Sequence, residues 1–112
     1  MNKVEVDGRL TADPEVKVLE SGTKRVSFTL AVARATEKYP DLKPSFIPVV
    51  LWGEEASKFG GTKGDLVYVS GELITDSWVK DDKHYSSFNI KGFKAEIKTK
   101  KKEASYEASN SR

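Results

Sequence analysis

The sequence contains no cysteine, one histidine and one methionine, and no apolar run approaches the roughly 18 residues of a membrane span. Without cysteine, disulfides and thiolate metal sites are excluded, an absence that fits a reducing compartment. The opening "MNKVEVDG" has no basic and apolar leader, so neither secretion by a standard signal nor a membrane span is expected, and the cytoplasm is the expected location. An excess of one charge is lacking too. Residues 1–97 hold 14 Lys and Arg against 15 Asp and Glu, a net of −1, whereas residues 98–112 hold five basic and two acidic residues, a net of +3. A claim of polyanion binding therefore cannot rest on net charge; it needs local clusters and aromatic surface. At 112 residues the chain suffices for one domain with one modest core.

Alternating apolar positions are plentiful. Val4, Val6, Gly8 and Leu10 share one face of a first strand. Asp13-Pro14 breaks the chain, Val16 and Val18 alternate, and Ser21-Gly22 makes a turn. "KRVSFTLAVAR" is a second strand with Val26, Phe28, Leu30 and Val32 in phase, and "ATEKYPDLKP" a long hairpin loop. "SFIPVVLWG" is a third strand. From Glu54 to Phe59, with Ala56 and Phe59 at i, i+3, one or two helical turns are expected. After the turn cluster "GGTKGD" comes a long fourth strand, "LVYVSGELITDSW", with Val67, Val69, Gly71 and Leu73 in phase. The polar turn "VKDDK" leads to a last strand, "HYSSFNIKGFKAEI", with Phe88 and Ile90 inward. The expected fold is all-β: a five-stranded OB barrel with one short helix between strands 3 and 4. An SH3-like barrel is the next choice, disfavoured by the long strands and the place of the helix. From Lys98 onward "KTKKKEASYEASNSR" loses periodicity, so residues 1–97 are expected to form the domain and residues 98–112 a disordered Lys-rich tail.

No catalytic set stands out. His84 lies beside a turn without cysteine neighbours and reads as a surface residue. Glu54 and Glu55 open the short helix, where acids suit the dipole, and Asp81-Asp82 sits in a turn that favours Asp for backbone reasons. "GGTKGD" lacks the spacing of a phosphate-binding P-loop. Neither an enzyme nor a cofactor or metal is expected. What remains is aromatic. In the third strand Phe46, Val50 and Trp52 share one parity and Ile47, Val49 and Leu51 the other, so only one set fills the core. Trp78 ends the fourth strand, in phase with Tyr68, Ser70, Glu72 and Ile74; Tyr39 lies in the long loop and Tyr85 just past the last turn. Arg34, Lys38, Lys43, Lys80 and Lys83 are near them in sequence. Exposed rings for bases and cations for phosphates are how single-stranded nucleic acid is held. On pattern alone, Phe46 and Trp52 suit either that role or burial in a second small core or a subunit interface. Pro48 removes a ladder hydrogen bond, so a bulge or an edge position is expected there.

Four segments resemble bacterial-type single-stranded DNA-binding proteins. "NKVEVDGRLTADPEVKVLESG" is similar to their opening, N-x-V-x-x-x-G-x-L followed by D-P-E-hydrophobic and a glycine turn. "SFTLAVAR" resembles their second strand, "SFIPVVLWG" their third and "KGDLVYVSGEL" the K-G-x-x-V-x-V-x-G-x-L of their fourth. The matches run in family order over residues 2–97. The resemblance implies an OB fold that assembles through its strands, usually as a homotetramer (a dimer being the smaller alternative), and sequence-tolerant binding of single-stranded DNA without catalysis or metal. Phe46, Trp52 and Trp78 fall where the family keeps stacking aromatics, and Lys63 where it has a basic residue before the fourth strand. The candidate interface is thus Phe46, Trp52, Trp78, Tyr39 and Tyr85 with Arg34, Lys43, Lys63, Lys80 and Lys83.

The chain also departs from the family. Thr36 stands near a common tryptophan position, with Tyr39 close by. "ITDSW" carries Asp76 where Arg and Lys are usual, and Glu54-Glu55 replaces a lysine. Weaker or more salt-sensitive binding is the expectation. The chain ends "EASNSR" rather than in the acidic tip through which cellular members recruit replication proteins, so that recruitment is not expected, and a phage, plasmid or other mobile-element member, or a specialised paralogue, is favoured. Lys98 to Lys102 suit either phosphate contacts or a solubilising tail. The expected function is to coat and protect unwound DNA in replication, recombination, repair or transfer. The alternatives are an OB-fold protein-interaction module of primosomal-accessory type and an RNA-binding OB domain.

Overall fold

The structure, a computed structural model, describes residues 1–101. The alternating segments form strands β1 (Val4–Leu10), β2 (Glu15–Val18), β3 (Lys24–Val32), β4 (Ser45–Trp52), β5 (Leu66–Lys80) and β6 (Lys83–Thr99), with helix α1 (Gly53–Lys58) between β4 and β5. The sheet runs β1-β5-β6-β4-β3 and closes on itself where β1 meets β3, at Arg9↔Ala31 and Leu10↔Leu30. Those five strands are the OB barrel expected from the pattern. The sixth, β2, lies outside the ring and pairs antiparallel with β3 from Glu15↔Ser27 to Val18↔Lys24. The alternation of Val16 and Val18 thus marks an edge strand, and both side chains are exposed.

The core follows from parity. In the unbroken antiparallel register of β3 and β4, Val26 stands opposite Leu51 and Phe28 opposite Val49. With Leu10, Leu30, Val67, Val69 and Ile90 these side chains fill the barrel. Helix α1 closes one end: Ala56 is fully buried, and Phe59, just beyond the helix, stacks on Phe28 with ring centroids 4.8 Å apart. Pro48 sits opposite Thr29 without a bulge. Strand β6 meets β4 only at Val49↔Ile90 and Val50↔Lys91, so Pro48 occupies the edge position that was one of its two expected settings.

Strands β5 and β6 form a hairpin that outgrows the barrel. Its two-residue turn has Asp81 at φ 52° and Asp82 at φ 62°, the two left-handed residues of a type I′ turn, whose twist matches the flanking strands. The register slips between Ser70 and Gly71, leaving Phe93 as an extra residue, and between Leu66 and Val67, leaving Lys98 extra. At the first slip a Cβ on Gly71 would run into the backbone carbonyl of Lys91. Past Ile90, where β6 leaves β4, the hairpin becomes an arm. Leu73 and Phe88, both expected inward, are exposed, because among the described residues no strand covers them beyond the barrel rim.

The end of β6 also departs from expectation. Lys98 and Thr99 belong to the strand, and the next two residues are tied down. Asp65 is buried and accepts hydrogen bonds from the Lys100 ammonium (2.8 Å), the Lys101 N–H (2.9 Å) and the Thr62 N–H (2.9 Å). Burial pushes the Asp65 carboxyl up, but these donors outweigh it and hold the group well below the usual carboxylate range. The chain is therefore placed through Lys101 rather than loosened from Lys98, and the disorder expected of residues 102–112 falls outside the described residues.

Two outcomes are expected. Gly71→Ala, which forces the two strands apart at the bulge, lowers the unfolding free energy in urea by about 1–3 kcal/mol. Because the Asp65 carboxyl is depressed in the fold, its contribution is complete above the unfolded carboxylate value near pH ~4 and is lost as pH falls below it. The stability gap between wild type and Asp65→Asn, read from urea midpoints, should therefore be widest near neutrality and shrink on acidification; a gap independent of pH would contradict the clamp.

Candidate nucleic-acid interface

The register that buries Leu51 and Val49 turns the other half of β4 outward. Across the β3–β4 ladder the outer pairs are Arg25↔Trp52, Ser27↔Val50, Thr29↔Pro48 and Ala31↔Phe46. Trp52 is 40% exposed and Phe46 61%, so among the described residues neither ring is taken into a second core. Val50 has the same parity yet is only 8% exposed, because β6 lies alongside it at Lys91. The Arg25 guanidinium stands over the Trp52 ring, 5.5 Å from its centroid, close enough for a cation–π contact.

From this pair the outer face continues onto the arm. A groove of about 440 Å³ has Arg25, Val50 and Trp52 on one side and Ile74, Asp76, Asn89 and Lys91 on the other. Arg25, Val50 and Asn89 also border a second groove of about 490 Å³, which passes Ser27, Pro48 and Ser87 toward Asp13. Further out, on the same face as Ile74 and Asp76, Trp78 and Tyr85 are cross-strand partners and stack with centroids 5.8 Å apart and planes 16° apart. Lys80 and Lys83, the last pair before the turn, share that face. The structure thus sets Trp52, Trp78, Tyr85, Lys80 and Lys83 along one surface.

The remaining candidates lie apart from it. Residues 33–44 form the loop that enters β4 at Ser45, and they carry Arg34, Tyr39 and Lys43, all exposed, next in sequence to Phe46. The Tyr39 N–H donates to Thr36 Oγ1 at 3.0 Å, and the Lys38 ammonium lies 5.5 Å from the centre of the Tyr39 ring. Lys63 borders neither groove; its backbone N–H donates to Asp13 Oδ1 at 2.8 Å and its side chain is exposed. Tyr68, in phase with Trp78, donates its hydroxyl to Glu5 at 2.6 Å, which lowers the Glu5 carboxyl and raises the phenol. Among the described residues, no three His, Asp or Glu side chains are grouped to hold a metal ion.

Arg25 and Lys91 belong to the surface and escaped the sequence reading. Each had a signal. Arg25 has the parity opposite to Val26, and pairing the second predicted strand antiparallel to the third sets it beside Trp52. Lys91 has the parity opposite to Ile90. Phe93 is exposed for a reason invisible in the pattern, its place as the extra residue of a bulge.

Since Trp78 is half-exposed on an arm with no core beneath it, Trp78→Ala should cost only the stacked pair, about 1 kcal/mol of stability, with the far-ultraviolet spectrum unchanged. Global unfolding of the variant would show that the ring is structural.

The comparisons with known proteins agree with one another. The family profile described as Single-strand binding protein family matches residues 1–104. The chain is 45% identical over 85 residues to Single-stranded DNA-binding protein 3 of Clostridium acetobutylicum, a match covering 73% of this chain and 59% of that protein. It is 37% identical over 95 residues to the single-stranded DNA-binding protein of Aquifex aeolicus, covering 80% and 65%. The chain spans about three fifths of the length of the curated relatives it matches. Among solved structures, a deletion mutant of the single-stranded DNA binding protein from Thermus aquaticus is similar with a TM-score of 0.71 and 27% identity, over 87% of this chain and 50% of that one. Plasmodium falciparum SSB in complex with ssDNA is similar with a TM-score of 0.70 and 26% identity, over 87% of this chain and 92% of that one.

Proposed function

The chain belongs to the Single-strand binding protein family, and from that premise we propose that it binds single-stranded DNA with little regard to sequence, coating and protecting strands exposed in replication, recombination and repair. It does so as a binding module, without chemistry of its own. The observation that carries the reading is the continuous face from Trp52 and Arg25, through the groove, to the Trp78–Tyr85 stack and the Lys80–Lys83 pair. Bases stack on the rings, and the cations follow the phosphates. Phe46, with Tyr39, Arg34 and Lys43 in the loop before it, extends the track at the other end of β4, and Lys63 adds a more distant cation.

A homotetramer, with a dimer as the smaller form, is the proposed assembly. Its support is an open edge: β1 is paired with β5 from Val4 to Arg9 but reaches β3 only at Arg9 and Leu10. Among the described residues that leaves the other side of Val4–Asp7 unpaired and open to another chain. The cytoplasm is the proposed location, in keeping with the absence of cysteine; among the described residues no helix is long and apolar enough to cross a membrane.

A tryptophan fluorescence titration tests the reading. A single-stranded homopolymer should quench Trp52 and Trp78 strongly, and a duplex of equal length should not. Trp52→Ala should weaken binding about tenfold or more, the value of one stacked base. Replacing Lys80 and Lys83 together by Ala should flatten the slope of log affinity against log salt by about 1.4, two phosphate contacts at 0.7 each. Absence of quenching at low salt would assign the rings to protein contacts and favour an OB-fold interaction module. Equal affinity for matched RNA would remove the preference for DNA.

A further inference from the structure

The groove between Trp52 and the arm contains a group that phosphate binding does not account for. Asp76 lies on β5, on the same face as Ile74 and Trp78, with Ser87 as its cross-strand partner and Asn89 two positions further along β6. Asp76 is exposed and borders the groove with Trp52, Arg25, Asn89 and Lys91. Among the described residues it forms no ion pair within 4.0 Å, either with Arg25 or with Lys91, although both border the same groove. A free carboxylate repels a phosphate. It is, however, a pure hydrogen-bond acceptor, and it faces the space beside a ring on which a base would stack.

We propose that Asp76, aided by Asn89, makes this groove selective for bases that present an exocyclic amino group, cytosine above thymine. The inference rests on the single-strand reading above and concerns the edge of the base rather than its face. Stacking on Trp52 is nearly blind to base identity. The edge is not. Cytosine offers its N4 amino group as a donor beside the N3 acceptor, which matches a carboxylate next to a side-chain amide that can donate. Thymine offers O4 at the same place, and its only donor, N3–H, lies between two carbonyl oxygens that a carboxylate repels. Adenine shares the amino group through N6. Arg25 and Lys91 flank the groove and are placed to take the phosphates of a nucleotide whose base points at Asp76.

The test is a fluorescence titration of the full chain with oligo(dC) and oligo(dT) of equal length, at pH 8 and one salt concentration. Both are pyrimidines, and because their self-stacking is a property of the free strands, the change of their affinity ratio on substitution isolates the edge. The expected result is oligo(dC) binding at least about five-fold tighter, the lower end of one good base-edge contact. In Asp76→Asn, whose amide can donate to O4, the ratio should fall to within about two-fold of unity, chiefly through gained affinity for oligo(dT). The ratio separates this role from simple repulsion, since removing a repulsive charge would strengthen both strands alike. Wild-type protein preferring oligo(dT), or Asp76→Asn leaving the ratio unchanged, overturns the selectivity while the single-strand reading stands. Failure to bind either oligonucleotide overturns the single-strand reading and the inference with it.

Discussion

The uninterrupted β3–β4 ladder is the constraint from which the rest follows. Eight cross-strand pairs run from Arg25↔Trp52 to Val32↔Ser45 without a bulge. With a side-chain period of two, a single decision about which parity faces the core settles both surfaces at once. Val26, Phe28, Val49 and Leu51 go in, so Arg25, Trp52, Ala31 and Phe46 must go out. A slip of β3 by one residue would bury Arg25 and expose Leu30, and a slip of β4 would expose Leu51. The register is therefore held by the core, and the core thereby aims the outer face. Stability and the proposed binding surface are two readings of the same ladder.

The face of Trp52 gains its depth from the hairpin. Strand β6 lies beside β4 for only two residues, yet that contact covers Val50 and places Lys91 and Asn89 along the edge of the ring's groove. Beyond it the arm extends the surface by alternation alone, without any core to support it. At the opposite end of β6 the chain is anchored by a buried acid, Asp65, to which Lys100 and Lys101 are both bonded. The hairpin is thus firm where it joins the barrel and free where it carries Trp78.

Most of the barrel was legible because its strands obey period two: the buried faces of β1, β3 and β4 read directly from Val4 to Leu51. The short helix and its place were legible from Ala56 and Phe59. What escaped has a common physical cause, since alternation reports parity but not what stands opposite. Leu73 and Phe88 have the parity of core residues and are exposed because the barrel ends before they do. Val50 has the parity of Trp52 and is covered by a neighbouring strand. Arg25 was readable only after the two strands on either side of the long hairpin loop were paired residue by residue. The last strand outlasted its pattern at Lys98 because a side chain 35 residues earlier, Asp65, holds Lys100, a contact no local periodicity carries. Of the interface candidates, Trp52, Trp78 and Tyr85 came together on one face, whereas Lys63 stands apart.

The bulge at Phe93 has a mechanical meaning. It lies just inside the point where the arm leaves the barrel at Ile90, where the two strands of the hairpin change register. Just outward of it Ile90 is still buried in the core and Leu73 is bonded to the Asn2 side chain; beyond them the ladder is held by backbone bonds and one aromatic stack. In the proposed complex a DNA strand lying on both Trp52 and Trp78 would span this joint and couple a stiff body to a compliant one. Part of the binding free energy would then go into ordering the arm. Affinity would be open to adjustment from residues that never touch the ligand, such as those of the Asp81-Asp82 turn, whose left-handed backbone sets how rigidly the arm is closed.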